Sequence, residues 1–146
     1  KITSITIGDS VREIGQLAFQ GCTGITSISI PNSVTKIADE YEVNHEIVFC
    51  PGSLELAASI IRAIPVQYDG ILAIGLVIKG DTPHFKLVSK QSFQDLAAVA
   101  LEFYGTPLVN GVLTVDNKVQ AEERINPEKM NKGKEFIESL FQMMSS

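Results

Sequence analysis

Apolar and polar positions follow two different rhythms along this chain. In the first 40 residues isoleucines alternate with hydroxyl residues in short stretches, as in Ile-Thr-Ser-Ile-Thr-Ile, the pattern of short strands with one face buried. Beyond about residue 46, short apolar runs alternate with longer amphipathic stretches. His45-Glu46-Ile47-Val48-Phe49-Cys50 reads as a buried strand, and Pro51-Gly52-Ser53 turns into an Ala/Ile/Leu-rich helix over residues 53–64. The unbroken apolar run over residues 70–78 has the texture of a central parallel strand. A helix over residues 85–104 carries Val88, Leu96, Val99, Ala100 and Phe103 on its apolar side and ends at Gly105-Thr106-Pro107. Residues 108–114 form the next strand, residues 118–124 a short helix, and residues 132–144 a final amphipathic helix. Phe136, Ile137, Leu140 and Phe141 give that last helix an apolar face. Alternation of strand and helix predicts a parallel sheet flanked by helices, with ligands outside the carboxyl ends of the strands.

The alternating N-terminal segment is a repeat. Residues 2–14 recur at residues 25–37, a period of 23, with eight of thirteen aligned positions identical. A period of this length falls in the leucine-rich-repeat range. Fewer than two copies bury no apolar face of their own, so the segment is expected to dock on something else. The chain therefore divides into a repeat-like segment, residues 1–40, and an α/β domain, residues 41–146.

Composition narrows the chemistry. The 146 residues suit one compact domain with an appendage, and a hydrophobic fraction of 45% supports a real core. A net charge of −5 without a basic run argues against nucleic acid. No apolar stretch reaches the roughly 18 residues of a membrane span, and the N-terminus does not read as a signal peptide, so a cytoplasmic location is expected. Cys22 and Cys50 show no Cys-x-x-Cys spacing and read as small apolar residues. With only two histidines in unrelated contexts and no ligand cluster, a metal site is not expected.

One segment carries a chemical signature. The apolar strand runs into Gly80-Asp81-Thr82-Pro83-His84. Thr at a helix N-cap and Pro at the first helical position build a helix N-terminus at the sheet's ligand edge. Free backbone N–H groups there attract a phosphate or carboxylate. His84 in the first turn stands beside any such anion, an arrangement suited to acid–base chemistry on a small phosphorylated substrate. His45 has no such context.

These motifs, with their neighbours, resemble a known family. Pro51-Gly52-Ser53-Leu54-Glu55, Gly80-Asp81-Thr82-Pro83-His84-Phe85, Gly111-Val112-Leu113-Thr114, Gln120-Ala121-Glu122-Glu123-Arg124 and Asn131-Lys132-Gly133 are similar, in order and approximate spacing, to the motifs of lumazine synthases. The resemblance covers about residues 46–146 and implies a flavodoxin-like α/β fold. It also implies a cofactor-free transferase of riboflavin synthesis, which condenses a ribitylamino-pyrimidinedione with dihydroxybutanone phosphate and releases phosphate and water. On this resemblance Ser53 and Glu55 hold the ribityl hydroxyls, and Val77 and Ile78 present backbone groups to the pyrimidine. Gly80, Asp81 and Thr82 receive the phosphate, and His84 shuttles protons. Arg124 clamps the phosphate and Lys132 adds positive charge, both reaching the site from a neighbouring subunit of a homo-pentamer or a larger shell. Residues 1–40, with Ala18-Phe19 and Gly21-Cys22 between the copies, resemble the leucine-rich repeats of surface antigens.

The resemblance breaks at the N-terminus. The family's first strand, central in its sheet and ending in Arg-Phe-Asn, is absent here, and Asn110 stands where many members have Phe. Each lost stacking contact is worth roughly 0.5–1.5 kcal/mol beyond area burial, so substrate affinity is expected to suffer before proton transfer does. One arrangement would restore the strand. Residues 25–30 would replace it, residues 33–41 would form a shortened crossover helix, and residues 46–50 would follow as the next strand. The alternative to an enzyme is a self-assembling scaffold, catalytically impaired, that displays the repeat segment.

Overall fold

The computed structural model describes residues 11–14, 28–31, 43–64 and 67–146, the first two segments by their backbone alone. β1 (Val11–Ile14) and β2 (Ile28–Pro31) pair antiparallel, Val11 opposite Pro31 and Ile14 opposite Ile28. Residues 28–31 thus join a separate two-stranded sheet and do not supply the missing strand. Residues 25–27 and the proposed crossover helix over residues 33–41 lie outside the described residues.

The α/β part is organised by one crossover unit. β3 (Ile71–Ile78) leads through α2 (His84–Glu102) to β4 (Leu108–Val115), which lies parallel to it. Register runs from Ile71 opposite Leu108 to Ile78 opposite Val115. The Ile71 N–H donates to the Pro107 carbonyl at 2.8 Å, and the Lys79 N–H to that of Val115 at 2.9 Å. A 3-10 turn over Ser53–Glu55 and α1 (Leu56–Ala63) precede this unit, while α3 (Lys118–Ile125) and α4 (Lys132–Met144) follow it. The result is a parallel sheet flanked by helices, the flavodoxin-like α/β class.

Strand periodicity sorts the core onto two faces. Ala73 and Val112 pack with Leu56, Ala57 and Ile60 of α1 and Leu96 and Val99 of α2. On the other face Leu72 meets Ile137 and Phe141 of α4, and Leu76 and Val115 meet Ala121 of α3. The apolar faces expected of the second and last helices are therefore the buried ones. Gly111 lets α4 come close: a Cβ there would lie 3.0 Å from the Ala73 carbonyl oxygen and 3.0 Å from Phe136. Gly111→Ala is accordingly expected to lower unfolding free energy by about 1–3 kcal/mol, read by urea denaturation.

Two sequence expectations change here. Residues 45–50 do not form a buried strand; they are unpaired, and Ile47, Val48 and Phe49 are exposed. A strand needs a neighbour for its backbone groups, and none of the described strands pairs with this one. What holds the segment is local. The Tyr68 hydroxyl donates to the Glu46 carboxylate, and Cys50 packs at the margin of the α1–α2 core. The hydrogen bond to Glu46 raises the Tyr68 pKa above its ordinary value, because the phenolate would lose it. Second, β3 is not central among the described strands, since it pairs with β4 alone.

Candidate active site

The carboxyl end of β3 opens into the predicted turn. Gly80, Asp81, Thr82 and Pro83 are exposed, and α2 starts at His84, one residue earlier than its apolar pattern suggests. Pro83 has helical dihedrals, φ −60° and ψ −12°, but stands at the N-cap; the first helical position, which the sequence pattern assigns to Pro83, is taken by His84. The Pro83 carbonyl accepts from the Lys86 N–H at 3.0 Å and closes the first turn. The Thr82 hydroxyl does not cap the helix; among the described residues it has no hydrogen-bond partner. His84 is likewise exposed, and its ring makes no hydrogen bond or ion pair among the described residues.

A contrast within the molecule shows what this leaves open. At the start of α3 the Asn117 side chain accepts from the Gln120 N–H at 3.0 Å, and the Gln120 side chain accepts from the Asp116 N–H at 2.8 Å. Side chains thus close that N-terminus from both directions. The α2 N-terminus has no such closure, so its first N–H groups, with the positive end of the helix dipole, face solvent. Between the two helix starts Lys79 bridges to Asp116 at 3.5 Å, tying the ends of β3 and β4. Both side chains are more than half exposed, so the bridge adds little stability. It does offset one of the acidic groups flanking the anion-seeking turn. The α3 closure and this bridge were both missed from sequence, although Asn-x-x-Gln before a helix is a readable cap signal.

The Ser53–Glu55 turn packs against α2 and β3, on the sheet face that carries α1. Ser53 does not cap its helix: Gly52 is the N-cap, and no side-chain cap bond forms. Ser53 is half-buried and Glu55 exposed, and both retain free oxygens. Val77 and Ile78 end β3 opposite Thr114 and Val115; Val77 packs toward the α1–α2 core and Ile78 toward Leu76 and Ala121.

The basic residues stand elsewhere. Arg124 lies in the last turn of α3, where its Nη1 donates to the Gln120 carbonyl at 3.1 Å. Lys132 opens α4 and pairs with Glu135 one turn along. The loop between them is fixed by its own bonds: the Asn126 Oδ1 accepts from the Glu128 N–H at 2.8 Å, and the Asn131 N–H donates to the Asn126 carbonyl at 3.1 Å. Asn131 adopts the left-handed conformation, φ 43° and ψ 51°, which asparagine tolerates better than most residues. Arg124 and Lys132 belong to helices on one face of the sheet and the Ser53 turn to the other face, so a single chain does not gather them. Asn110 sits inside β4 opposite Ala73, about 16 Å of strand away from Val115. Its Oδ1 accepts from the Val112 N–H at 2.9 Å.

Among the described residues no group of three or more His, Cys, Asp or Glu side chains could hold a metal ion, and no helix is long and apolar enough to cross a membrane. What the site does offer is an uncapped helix N-terminus, an imidazole in its first turn, and a carboxylate and hydroxyl on an adjoining turn. That set can hold a phosphate and a polyol and move protons between them.

Comparison with known proteins identifies the families that the chain resembles. A BspA-type leucine-rich-repeat profile matches residues 1–47. A 6,7-dimethyl-8-ribityllumazine synthase from Campylobacter curvus is 37% identical over 105 residues, which span 71% of this chain and 67% of that protein. Another from Aliarcobacter butzleri is 36% identical over 104 residues, 70% of this chain and 66% of that protein. One from Nitrobacter winogradskyi is 35% identical over 108 residues, again 70% and 66%. The chain thus spans about two thirds of the length of these relatives. The 6,7-dimethyl-8-ribityllumazine synthase profile itself matches residues 27–146, and the chain belongs to that family.

Proposed function

We propose that the chain is a transferase that condenses 5-amino-6-ribitylaminopyrimidinedione with 3,4-dihydroxy-2-butanone 4-phosphate. The product is 6,7-dimethyl-8-ribityllumazine, in riboflavin biosynthesis, with phosphate and water released. The observation that carries this reading is the uncapped α2 N-terminus with His84 in its first turn, in a chain of this family. The phosphate of the butanone substrate rests on the N–H groups of the Gly80–Thr82 turn and on the Thr82 hydroxyl. Asp81 is exposed and must keep its charge away from the anion. Glu55 and Ser53 accept from and donate to the ribityl hydroxyls. Val77 and Ile78 offer backbone groups to the pyrimidine, their side chains being committed to the core.

His84 carries protons. Imine formation expels water from the ketone, elimination expels phosphate, and ring closure removes a second water. Each step moves a proton near neutral pH, which imidazole does well. Arg124 and Lys132 complete the phosphate site from a neighbouring copy in a pentamer or larger shell. Separation of the two groups by the sheet supports that assignment. For this, Arg124 must exchange its Gln120 carbonyl for phosphate, and Lys132 must loosen from Glu135. No cofactor takes part. The repeat-like segment, residues 1–40, is a separate unit from the synthase domain, residues 41–146.

The test is direct. Incubation with both precursors is expected to give lumazine fluorescence, and Arg124→Ala is expected to raise the KM for the phosphorylated substrate by roughly tenfold or more, as loss of a charged hydrogen bond implies. A second reading, a catalytically impaired scaffold that displays the repeat segment, draws support from Asn110 in place of an aromatic. A folded, assembled protein that forms no product would favour it.

A further inference from the structure

We infer that Asn126 is a positioning residue for the phosphate site: its side chain fixes the spacing between Arg124 and Lys132. This role rests on the proposed condensation and extends it to a residue outside the recognised motifs, since residues 125–130 separate Gln120–Arg124 from Asn131–Gly133. Arg124 lies in the last turn of α3, just before Asn126, and Lys132 is the first residue of α4.

The ties that join the two helices pass through Asn126. Its N–H donates to the Glu122 carbonyl at 3.0 Å and ends α3. Its backbone then turns extended, φ −65° and ψ 122°, as a residue before proline prefers. That frees its carbonyl from the helix, and the carbonyl accepts from the Lys129 N–H at 3.0 Å and the Asn131 N–H at 3.1 Å. The Asn131 carbonyl accepts in turn from the Lys134 N–H at 3.0 Å and starts α4. The Met130 N–H adds a tie back to the Glu123 carbonyl at 3.3 Å. Holding this turn in shape is the Asn126 Oδ1, which accepts from the Glu128 N–H at 2.8 Å across Pro127. Asparagine at the first position of a turn and proline at the second favour this fold of the chain. A substitution at Asn126 removes the Oδ1 bond and leaves every backbone group in place. Cations already held at one spacing lose less freedom when a phosphate arrives. Loosening the turn therefore weakens phosphate binding and spares proton transfer at His84.

Steady-state kinetics on the assembled protein test this, with sedimentation velocity to match the assembly of each variant to wild type. Asn126→Ala is expected to raise the KM for the phosphorylated substrate by about three- to tenfold, the scale of one lost hydrogen bond. The inhibition constant of inorganic phosphate is expected to rise in parallel, while kcat and the KM for the pyrimidine stay within about twofold. Asn126→Ser keeps a short neutral acceptor and is expected to recover most of the loss. In an Arg124→Ala background, Asn126→Ala is expected to add less than about twofold, because the two act through one contact. Should Asn126→Ala fail to fold, Pro127→Ala loosens the same turn without removing an acceptor and is expected to raise the same KM by about two- to fivefold. A purely structural role would instead lower kcat through a smaller folded fraction. An unchanged KM, a fall in kcat alone, or full additivity with Arg124→Ala overturns the role of Asn126 and leaves the condensation standing. A folded wild type that makes no product and binds no phosphate overturns both.

Discussion

Replacing His84 with alanine lowers turnover of the two precursors by about 10²–10⁴-fold, the span attributed to a positioned general acid–base group. The KM for the phosphorylated substrate changes far less, because the anion rests on backbone N–H groups that the substitution leaves in place. Stability also stays close to wild type, since the side chain is exposed and makes no hydrogen bond or ion pair among the described residues. Steady-state fluorescence kinetics beside thermal melts separate these effects. A variant with full turnover would remove His84 from the mechanism; one that melts early would show a structural role instead.

The largest effect on stability is expected at Leu96. Its side chain is 1% exposed, at the centre of the cluster that joins α1, α2, Ala73 and Val112. Leu96→Ala is expected to cost about 2–5 kcal/mol, the transfer term plus the cavity left in a close-packed site. Guanidinium unfolding would show a lower midpoint at constant slope. The functional penalty is wider than the packing loss suggests. Leu96 lies twelve residues along the same helix that begins at His84, so loosening it tilts the helix whose first turn forms the site. Turnover is expected to fall before the chain unfolds.

Sequence made the crossover unit legible because each of its elements has a single dominant signal. The apolar run of β3, the punctuation at Gly105-Thr106-Pro107 and the Pro83 start all read locally, and the helix boundaries fall within one or two residues of the pattern. Residues 45–50 misled for a physical reason. An apolar run states that a segment prefers to be buried, but burial as a strand depends on a partner elsewhere in the chain. The site divided along the same line. Gly80 to His84 form one contiguous turn and could be read directly. Arg124 and Lys132 could be placed on their helices, while their present partners, Gln120 and Glu135, follow from side-chain rotamers that no spacing reveals. Asn110 reads as a replacement for an aromatic, yet its use as a local acceptor for Val112 is visible only in the backbone geometry.

The crossover from β3 to β4 also has a kinetic consequence. Ile71 pairs with Leu108 and Ile78 with Val115, so every rung of the ladder has the same separation of 37 residues. The chain meets its loop-closure entropy once, at the first rung, and later rungs zip at no further closure cost. Until then β3 has no ladder. At typical translation speeds the 37 residues that separate it from β4 take about 2–7 s to make. Through that interval the nascent chain carries an apolar strand whose β4 edge is open, and a co-translational chaperone would find its target there.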